Sequence, residues 1–290
     1  MQSKIYELLD NCYECKSEEI PNIEFQLFLI TVKSLLPYED NIGCMFDISR
    51  YEKEIELLEL YKNGNDDTIE FYINNKKPSE IDDKLLEYKI IPIAIANTIW
   101  ENLIVEIMKI VFFYTINVKT ILNAIILSSV IFEYFSSDEV DFENINIETK
   151  ERIIKFSIKD YFENNHIEFK KNYYIEFERE RIKILTNEEL ISKDIVMNYK
   201  ALKHMLLNET TKEKQDNEII LNYSIYLLKL RKGTINPEKL QMKKGKIPGI
   251  KEFLNYPVFI HPLLGKCKII KQTEKEVILR NKSGLMKVKI

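Results

Sequence analysis

Glycine is scarce in this sequence: only 7 of the 290 residues are glycine, whereas a globular protein usually has about 7%. A loop that holds a phosphate needs glycines, because its backbone must come close to the ligand. Neither G-x-G-x-x-G nor G-x-x-x-x-G-K-[ST] occurs. The scarcity therefore argues against the common nucleotide-binding folds.

Cysteine and histidine are also few, and neither is grouped as in a metal site. The four cysteines form no even disulfide framework, which is typical of a reducing compartment. Cys12 and Cys15 make a C-x-x-C pair, but a zinc ribbon needs a second pair, so we expect two half-buried thiols on a helix. The histidines, His166, His204 and His261, are isolated from other metal ligands. We expect His204 to lie at a helix interface and His261 to make a structural hydrogen bond.

Long apolar runs are missing as well. In the apolar region 90–135 the longest uncharged run, Thr120 to Phe132, has 13 residues, whereas a membrane-spanning helix needs about 20. The N-terminus carries Glu and Asp where a signal peptide has an apolar run. We therefore expect a cytoplasmic protein without membrane contact, in which the run forms a core helix.

Charge is abundant but unevenly distributed. Residues 243 to 290 contain 12 Lys or Arg and 3 acidic residues, a net charge of +9, which leaves −13 for residues 1 to 242. Five of the seven glycines also lie after residue 232. The change in charge and turn density predicts an acidic all-helical domain over 1–242 and a small basic β subdomain over 243–290.

Apolar residues before this boundary recur at intervals of three and four, as in Ile55, Leu58 and Tyr61. Pro92 suits the first turn of a long helix, and Gly233 suits a position just after a helix end. Residues 166–184 fit either a strand or a helix, and their alternation favours a strand. The predicted helices span 2–16, 22–36, 48–62, 92–114, 118–135, 148–164, 187–207 and 216–232, with 92–114 and 118–135 as the buried central hairpin.

After the boundary the apolar residues alternate with period two, which predicts strands at 266–271, 276–280 and 285–290. The predicted fold class is therefore mainly α, a multi-helix bundle with a small C-terminal antiparallel β subdomain. Alternation also points Cys267 into the core. It places a row of lysines on one face of the sheet: Lys266, Lys268, Lys282, Lys287 and Lys289.

This lysine face has two interpretations. It could bind the phosphates of a nucleic acid or another acidic partner, or it could dock on the acidic helical body of its own chain. Stacking aromatics, which most single-strand binding surfaces use, are absent after Phe259. Docking is slightly favoured for that reason.

The stretch "NDDT" also has two interpretations. Asp66, Asp67 and Thr68 could supply oxygen ligands to a hard cation. The same residues make a good helix start, because their side-chain oxygens accept the unpaired N–H groups of a first turn. The cap is the preferred interpretation.

The line "FIHPLLGKCKII" resembles the start of the small SH3-like or Tudor-like barrel at the C-terminus of some DNA helicases. His261, Gly265 and the strand from Lys268 match that pattern, whereas Cys267 stands at the usual second glycine. The resemblance covers about 35 residues and implies barrel geometry for the C-terminal sheet.

The helical body is similar to the ADP-ribosylglycohydrolase family, all-helical enzymes that use two magnesium ions to remove ADP-ribose from proteins. The family motifs are an early G-D-x-x-G, a D-D-T, a basic residue before a proline, and a Thr-His. Their counterparts here, in the same order, are Asp40 and Gly43, then Asp66, Asp67 and Thr68, then Lys89 and Pro92, then Thr115. The resemblance implies Asp66 and Asp67 as catalytic candidates, and Asp40, Asp66, Asp67 and Thr68 as metal ligands.

The sequence departs from this family in ways that affect catalysis. Glu39 replaces the first glycine, Ile116 replaces the histidine, and the late G-G-D-x-D-T has no counterpart. Half of the metal ligands are thereby missing, and Mg²⁺ demands nearly complete octahedral coordination by oxygen. No cofactor is expected, and Mg²⁺ only if the site is intact.

Three functional hypotheses follow. The first is a degenerate, non-catalytic ADP-ribosylglycohydrolase-like protein that binds a protein partner or an ADP-ribose-like ligand as a binding or regulatory module. The second is a nucleic-acid-associated accessory protein that uses the lysine face. The third is an active Mg²⁺-dependent ADP-ribosyl hydrolase.

Overall fold

The computed structural model describes residues 1–14, 19–39, 42–137, 141–168, 171–187, 191, 193–207, 217–240 and 247–290. These residues form a helical body followed by a four-stranded sheet, which confirms a mainly α fold with a small C-terminal antiparallel β part. The helices are α1 (Gln2–Cys12), α2 (Ile23–Lys33), α3 (Ile48–Tyr61), α4 (Asp67–Asn75), α5 (Leu86–Ala96), α6 (Trp100–Tyr114), α7 (Val118–Ser136), α8 (Phe142–Lys155), α9 (Ile158–Asn164), α10 (Lys171–Leu185), α11 (Lys193–Asn198), α12 (Lys200–Leu207) and α13 (Glu218–Arg231). The strands are β1 (Leu35–Pro37), β2 (Cys44–Phe46), β3 (Val258–His261), β4 (Gly265–Gln272), β5 (Glu276–Asn281) and β6 (Gly284–Lys289).

Short polar side chains begin most of these helices. Each accepts a backbone N–H of the first turn, and such a cap contributes about 1 kcal/mol. The capping residues are Asn22, Asp47, Asp66, Asn117, Asp141, Ser157 and Asn217.

The centre of the body is α5, in which all 11 residues are buried. The prediction that Pro92 opens a helix reaching Tyr114 is wrong, because α5 begins at Leu86 and ends at Ala96, before α6. Pro92 is tolerated inside α5 although it has no N–H for the carbonyl four residues earlier. That carbonyl, on Tyr88, instead accepts the Tyr13 hydroxyl at 3.4 Å.

Carbonyl groups at the C-terminal end of α5 accept hydrogen bonds from a side chain far along the chain. Arg231, at the end of α13, donates from Nη1 to the carbonyl oxygens of Ile95 and Asn97, both at 2.9 Å. Burial lowers the pKa of Arg231 to about 10, which leaves the side chain charged at neutral pH. A cation at this position stabilises the helix end, where the carbonyls carry partial negative charge.

Helix α7 lies in the core, packed between its neighbours. It is the one helix among the described residues with the length and hydropathy of a membrane span, and 83% of that window is buried. Such burial is typical of a core helix in a water-soluble protein. Leu122 and Ile125 are fully buried as expected, whereas Phe132 is only partly buried and packs edge-on against Trp100.

The prediction of a strand over 166–184 is wrong, because this region contains α10. Its apolar residues also satisfy a helical period: Tyr173 and Phe177, four apart, point to the body, where Phe177 packs on Phe156. Ion pairs three residues apart, Glu178 with Arg181 and Glu180 with Lys183, support the same helix.

Several predicted boundaries also shift. The regions 148–164 and 187–207 each contain two helices, α8 with α9 and α11 with α12. Strands β1 and β2 pair as a small antiparallel ladder that the helical periodicity did not predict. Gly233 follows α13 with φ +62°, as expected of a residue just past a helix end. The predicted domain boundary at 242/243 lies outside the described residues.

The C-terminal sheet is an antiparallel meander with strand order β3-β4-β5-β6 and an irregularity between Ile269 and Lys271. Its inner face is apolar and buried, and it includes Cys267, Val277, Leu279, Met286 and Val288. Met286 lies in a crevice with Tyr61 of α3 and Leu29 of α2, so this face packs on the body.

His261 makes the structural hydrogen bonds expected of it. Its Nδ1 accepts the Leu263 N–H at 3.2 Å. The other ring nitrogen, Nε2, therefore carries the proton and donates to the Pro248 carbonyl at 3.2 Å. Burial lowers the pKa of His261, in keeping with a neutral ring.

Candidate functional site

Asp66 is the N-cap of α4, as the capping interpretation predicts. Its Oδ1 accepts the backbone N–H groups of Thr68 at 2.9 Å and Ile69 at 3.0 Å. The Thr68 hydroxyl donates to the same oxygen at 2.6 Å. One carboxylate oxygen is thus fully used by the helix start.

The second oxygen of Asp66 faces a buried ammonium. Lys89 Nζ lies 2.7 Å from Asp66 Oδ2 and 2.7 Å from Asp83 Oδ2. It donates to Thr68 Oγ1 at 2.9 Å and sits 4.2 Å from the centre of the Tyr114 ring. The Lys89 side chain is 1% exposed. We call these five residues, Asp66, Thr68, Asp83, Lys89 and Tyr114, the Lys89 cluster.

Elements from across the body hold the cluster in place. Asp83 precedes α5; its Oδ1 accepts the Leu85 N–H, and its own N–H donates to Thr120 Oγ1 at the start of α7. The Tyr114 hydroxyl lies 2.5 Å from that of Tyr51 on α3. Helices α3, α4, α5, α6 and α7 therefore meet around one ammonium group.

The charges of the cluster do not balance at neutral pH. Burial alone would raise the pKa of Asp66, but Lys89 and the hydrogen bonds from Thr68 and Ile69 outweigh it and lower that pKa. Burial raises the pKa of Asp83 to about 6, and the nearby Asp66 adds to the effect. Burial would lower the pKa of Lys89, but the two carboxylates raise it. The cluster thus carries one net negative charge above pH 6 and none below it.

The metal-ligand candidates that the structure describes are divided between the interior and the surface. Asp66 and Thr68 are buried in the Lys89 cluster, whereas the neighbouring Asp67 is exposed at the first position of α4. Asp40 lies outside the described residues. Among the residues that the structure describes, no three His, Cys, Asp or Glu side chains are grouped as a metal site would require. In this arrangement an ammonium group occupies the position between the carboxylates.

Sequence reasoning named Asp66, Thr68 and Lys89 but missed Asp83. The signal that could have identified it is Lys89 itself, since "KIIPIAIA" places a lone cation in an otherwise apolar segment. A fully buried lysine requires an anionic partner. The nearby "DD" at positions 82 and 83 supplies one.

The five candidate lysines of the sheet are all exposed. Lys266, Lys268, Lys287 and Lys289 project from the outer face, opposite the buried Cys267 and Val288, and Lys282 lies in the turn between β5 and β6. We call these five residues the basic face.

The expected docking of this face on the acidic body is not observed. Within the described parts of the chain, the ion pair that the basic face makes is Lys287 with Glu276, at 2.7 Å, and both belong to the sheet. The apolar inner face packs on the helices instead. The reason is that a row of lysines is solvated at little cost, whereas the row of Val, Leu and Met must leave water.

No known protein-family model matches this chain, and no curated protein or solved structure gives a significant match. Functional interpretation therefore depends on the geometry of the chain itself.

Proposed function

We propose that this protein is a non-catalytic binding module that holds a polyanion, with nucleic acid as the ligand, on the basic face of its C-terminal sheet. One observation carries the proposal: four lysines project into solvent from one side of the sheet, and a fifth, Lys282, is exposed in the turn beside it. In our proposal the protein is cytoplasmic, which fits the buried thiols of Cys44 and Cys267.

The chemistry of the face favours phosphates over bases. Residues two apart on a strand are about 7 Å apart, so Lys266 and Lys268 on β4, and Lys287 and Lys289 on β6, form two parallel rows of flexible cations. Ammonium groups bind phosphate as point charges and do not read base edges bidentately. We therefore expect binding that depends weakly on sequence and strongly on salt.

The helical body in this proposal is a scaffold, a degenerate relative of the ADP-ribosylglycohydrolases. Supporting this view, Asp66 is engaged by α4 and Lys89, whereas its neighbour Asp67 is exposed. A body with net charge −13 also repels a polyanion, which restricts binding to the sheet.

The test is the affinity of a labelled single-stranded oligonucleotide at several salt concentrations. Each phosphate contact contributes about 0.7 to the slope of log K against log salt for single strands. Changing Lys266, Lys268, Lys287 and Lys289 together to Gln should reduce both affinity and slope. The matched control changes the exposed Lys76, Lys119, Lys155 and Lys159 of the body to Gln, with the same change in net charge.

The control variant should bind as the unmodified protein does. Equal losses in both variants would show that only net charge matters and would contradict a site on the sheet. No salt-sensitive binding by the full chain would reject nucleic acid as the ligand.

A second measurement addresses the scaffold. Mg²⁺ at 100 times its Kd would stabilise a protein by about 2.7 kcal/mol, so an intact metal site would raise the melting temperature by several degrees. We expect no such rise with Mg²⁺ or Mn²⁺. A rise that disappears in both Asp66→Asn and Asp67→Ala would instead favour the active hydrolase.

A further inference from the structure

The two edges of the C-terminal sheet differ in how they are protected. A free edge strand exposes unpaired N–H and C=O groups, and proteins usually guard it with charge. Edge strand β6 carries the exposed Lys287 and Lys289. Edge strand β3, with the sequence Val-Phe-Ile-His, carries no lysine or acid.

The unguarded edge also bears the two most exposed large apolar side chains of the described chain. Ile260 is 73% exposed and Tyr256 is 61% exposed, and Val258 between them is 47% exposed. Because side chains alternate along a strand, Val258 and Ile260 lie on the outer side of the sheet, and the exposed Tyr256 lies two residues before the strand. We call Tyr256, Val258 and Ile260 the apolar strip of this edge.

The backbone of β3 is open at the same residues. Phe259 is opposite Cys267 and His261 is opposite Gly265, and the Pro257 carbonyl accepts the Ile269 N–H at 2.9 Å. Hydrogen-bonded pairs alternate in an antiparallel ladder, so the N–H and C=O of Val258 and Ile260 point to the free side. Within the described residues, no strand pairs with β3 on that side.

We propose that β3 pairs antiparallel with β3 of a second copy of this chain, about a two-fold axis at Phe259. Val258 then lies opposite Ile260 of the second copy, and Ile260 lies opposite its Val258. All four open backbone groups of each strand segment find partners in this register. The exposed Val258 and Ile260 side chains of each copy then lie beside apolar side chains of the other copy.

Several features favour a second copy over another occupant. The Tyr256 N–H is already donated to the Phe253 carbonyl at 3.0 Å, and Pro262 has no N–H group, which limits pairing to a short segment that is self-complementary in this register. The lysines of β4 in the two copies are three strand spacings apart, about 14 Å. That distance exceeds the Debye length of about 8 Å at physiological salt, so repulsion between them is screened.

The contact area is small, so we expect weak association, of micromolar order. Pairing would join the two sheets into one of eight strands, with the basic faces of both copies on the same side. The inference does not depend on the proposed function, because self-association is measured without nucleic acid.

Sedimentation equilibrium of the full chain from low to high micromolar concentration tests the pairing. We expect a monomer–dimer equilibrium that Ile260→Lys abolishes, because the new charge meets the apolar strip of the second copy. Ile154→Lys is the matched control: Ile154 is 60% exposed on α8 and lies outside the sheet. Circular dichroism and thermal melting establish that both variants are folded.

Cross-linking tests the register. Opposed residues of a hydrogen-bonded pair have Cα atoms about 5.5 Å apart, within reach of a disulfide. A mixture of Val258→Cys and Ile260→Cys proteins should form a mixed disulfide dimer under mild oxidation. Each variant alone should cross-link poorly, since its own thiols are offset by two residues along the strands.

Three results would overturn the inference. They are a monomer at every concentration, a dimer that Ile260→Lys leaves intact, and efficient cross-linking of either cysteine variant alone. A monomer whose oligonucleotide affinity falls in Ile260→Lys would assign the apolar strip to the polyanion site. A monomer with unchanged oligonucleotide binding would reject the pairing and leave the proposed function standing.

Discussion

Replacing Lys89 with Met should lower the free energy of unfolding by about 3 to 5 kcal/mol, the usual cost of removing one partner from a buried ion pair. Met fills a similar volume, so the loss reports charge and not a cavity. Asp66 and Asp83 would be left buried without their shared cation. Urea unfolding at pH 7 measures the change.

Two further variants separate charge from packing. Lys89→Met combined with Asp66→Asn and Asp83→Asn should recover much of the stability, because a neutral cluster has no uncompensated charge and Asn still caps α4. Lys119→Met, at an exposed lysine 3.5 Å from the half-exposed Asp82, should change little. A loss from Lys89→Met as small as that from Lys119→Met would contradict a buried, energetically important ammonium group.

The second large effect is the pH dependence that Asp83 gives to stability. Its pKa is about 6 in the folded protein and about 3.9 in an unfolded chain. The folded state binds the extra proton, so this contribution is fully present below about pH 4 and is lost as pH rises through 6. A shift of two pKa units corresponds to about 3 kcal/mol.

Comparison with Asp83→Asn isolates this contribution from the other acidic groups. The difference in unfolding free energy, unmodified protein minus Asp83→Asn, should fall by about 3 kcal/mol between pH 4 and pH 7. Asp66, whose pKa is lowered, acts in the opposite direction and only below its unfolded pKa. A difference that stays constant across this range would mean that Asp83 is not held in a raised-pKa environment.

Local features of this fold were predictable where local chemistry decides them. The cap at Asp66, the stop at Gly233 and the three C-terminal strands each follow from a few neighbouring residues. The pairing of Asp66 with Lys89 was not predictable in the same way. It depends on how α4 and α5 approach each other, and no periodicity reports that.

The wrong predictions, a strand over 166–184 and a helix that opens at Pro92, also arise because contacts between distant elements decide the outcome. Residues 171–185 satisfy both periods, and contact of Phe177 with Phe156 selects the helix. Pro92 normally marks a helix start, but Tyr13 supplies a donor to the carbonyl that the proline leaves open. Alternation placed the lysines on one side of the sheet, yet only the position of the body shows that this side faces water.

Helix α5 receives hydrogen bonds from residues that are synthesised long after it. Arg231 donates to Asn97 across 134 positions, and Glu87 of α5 accepts the Ala201 N–H across 114. At about 5 to 20 residues per second, a ribosome takes about 7 to 27 seconds to pass from the one helix end to the other. Throughout that interval α5, whose 11 residues are all buried in the folded protein, lacks its final cover.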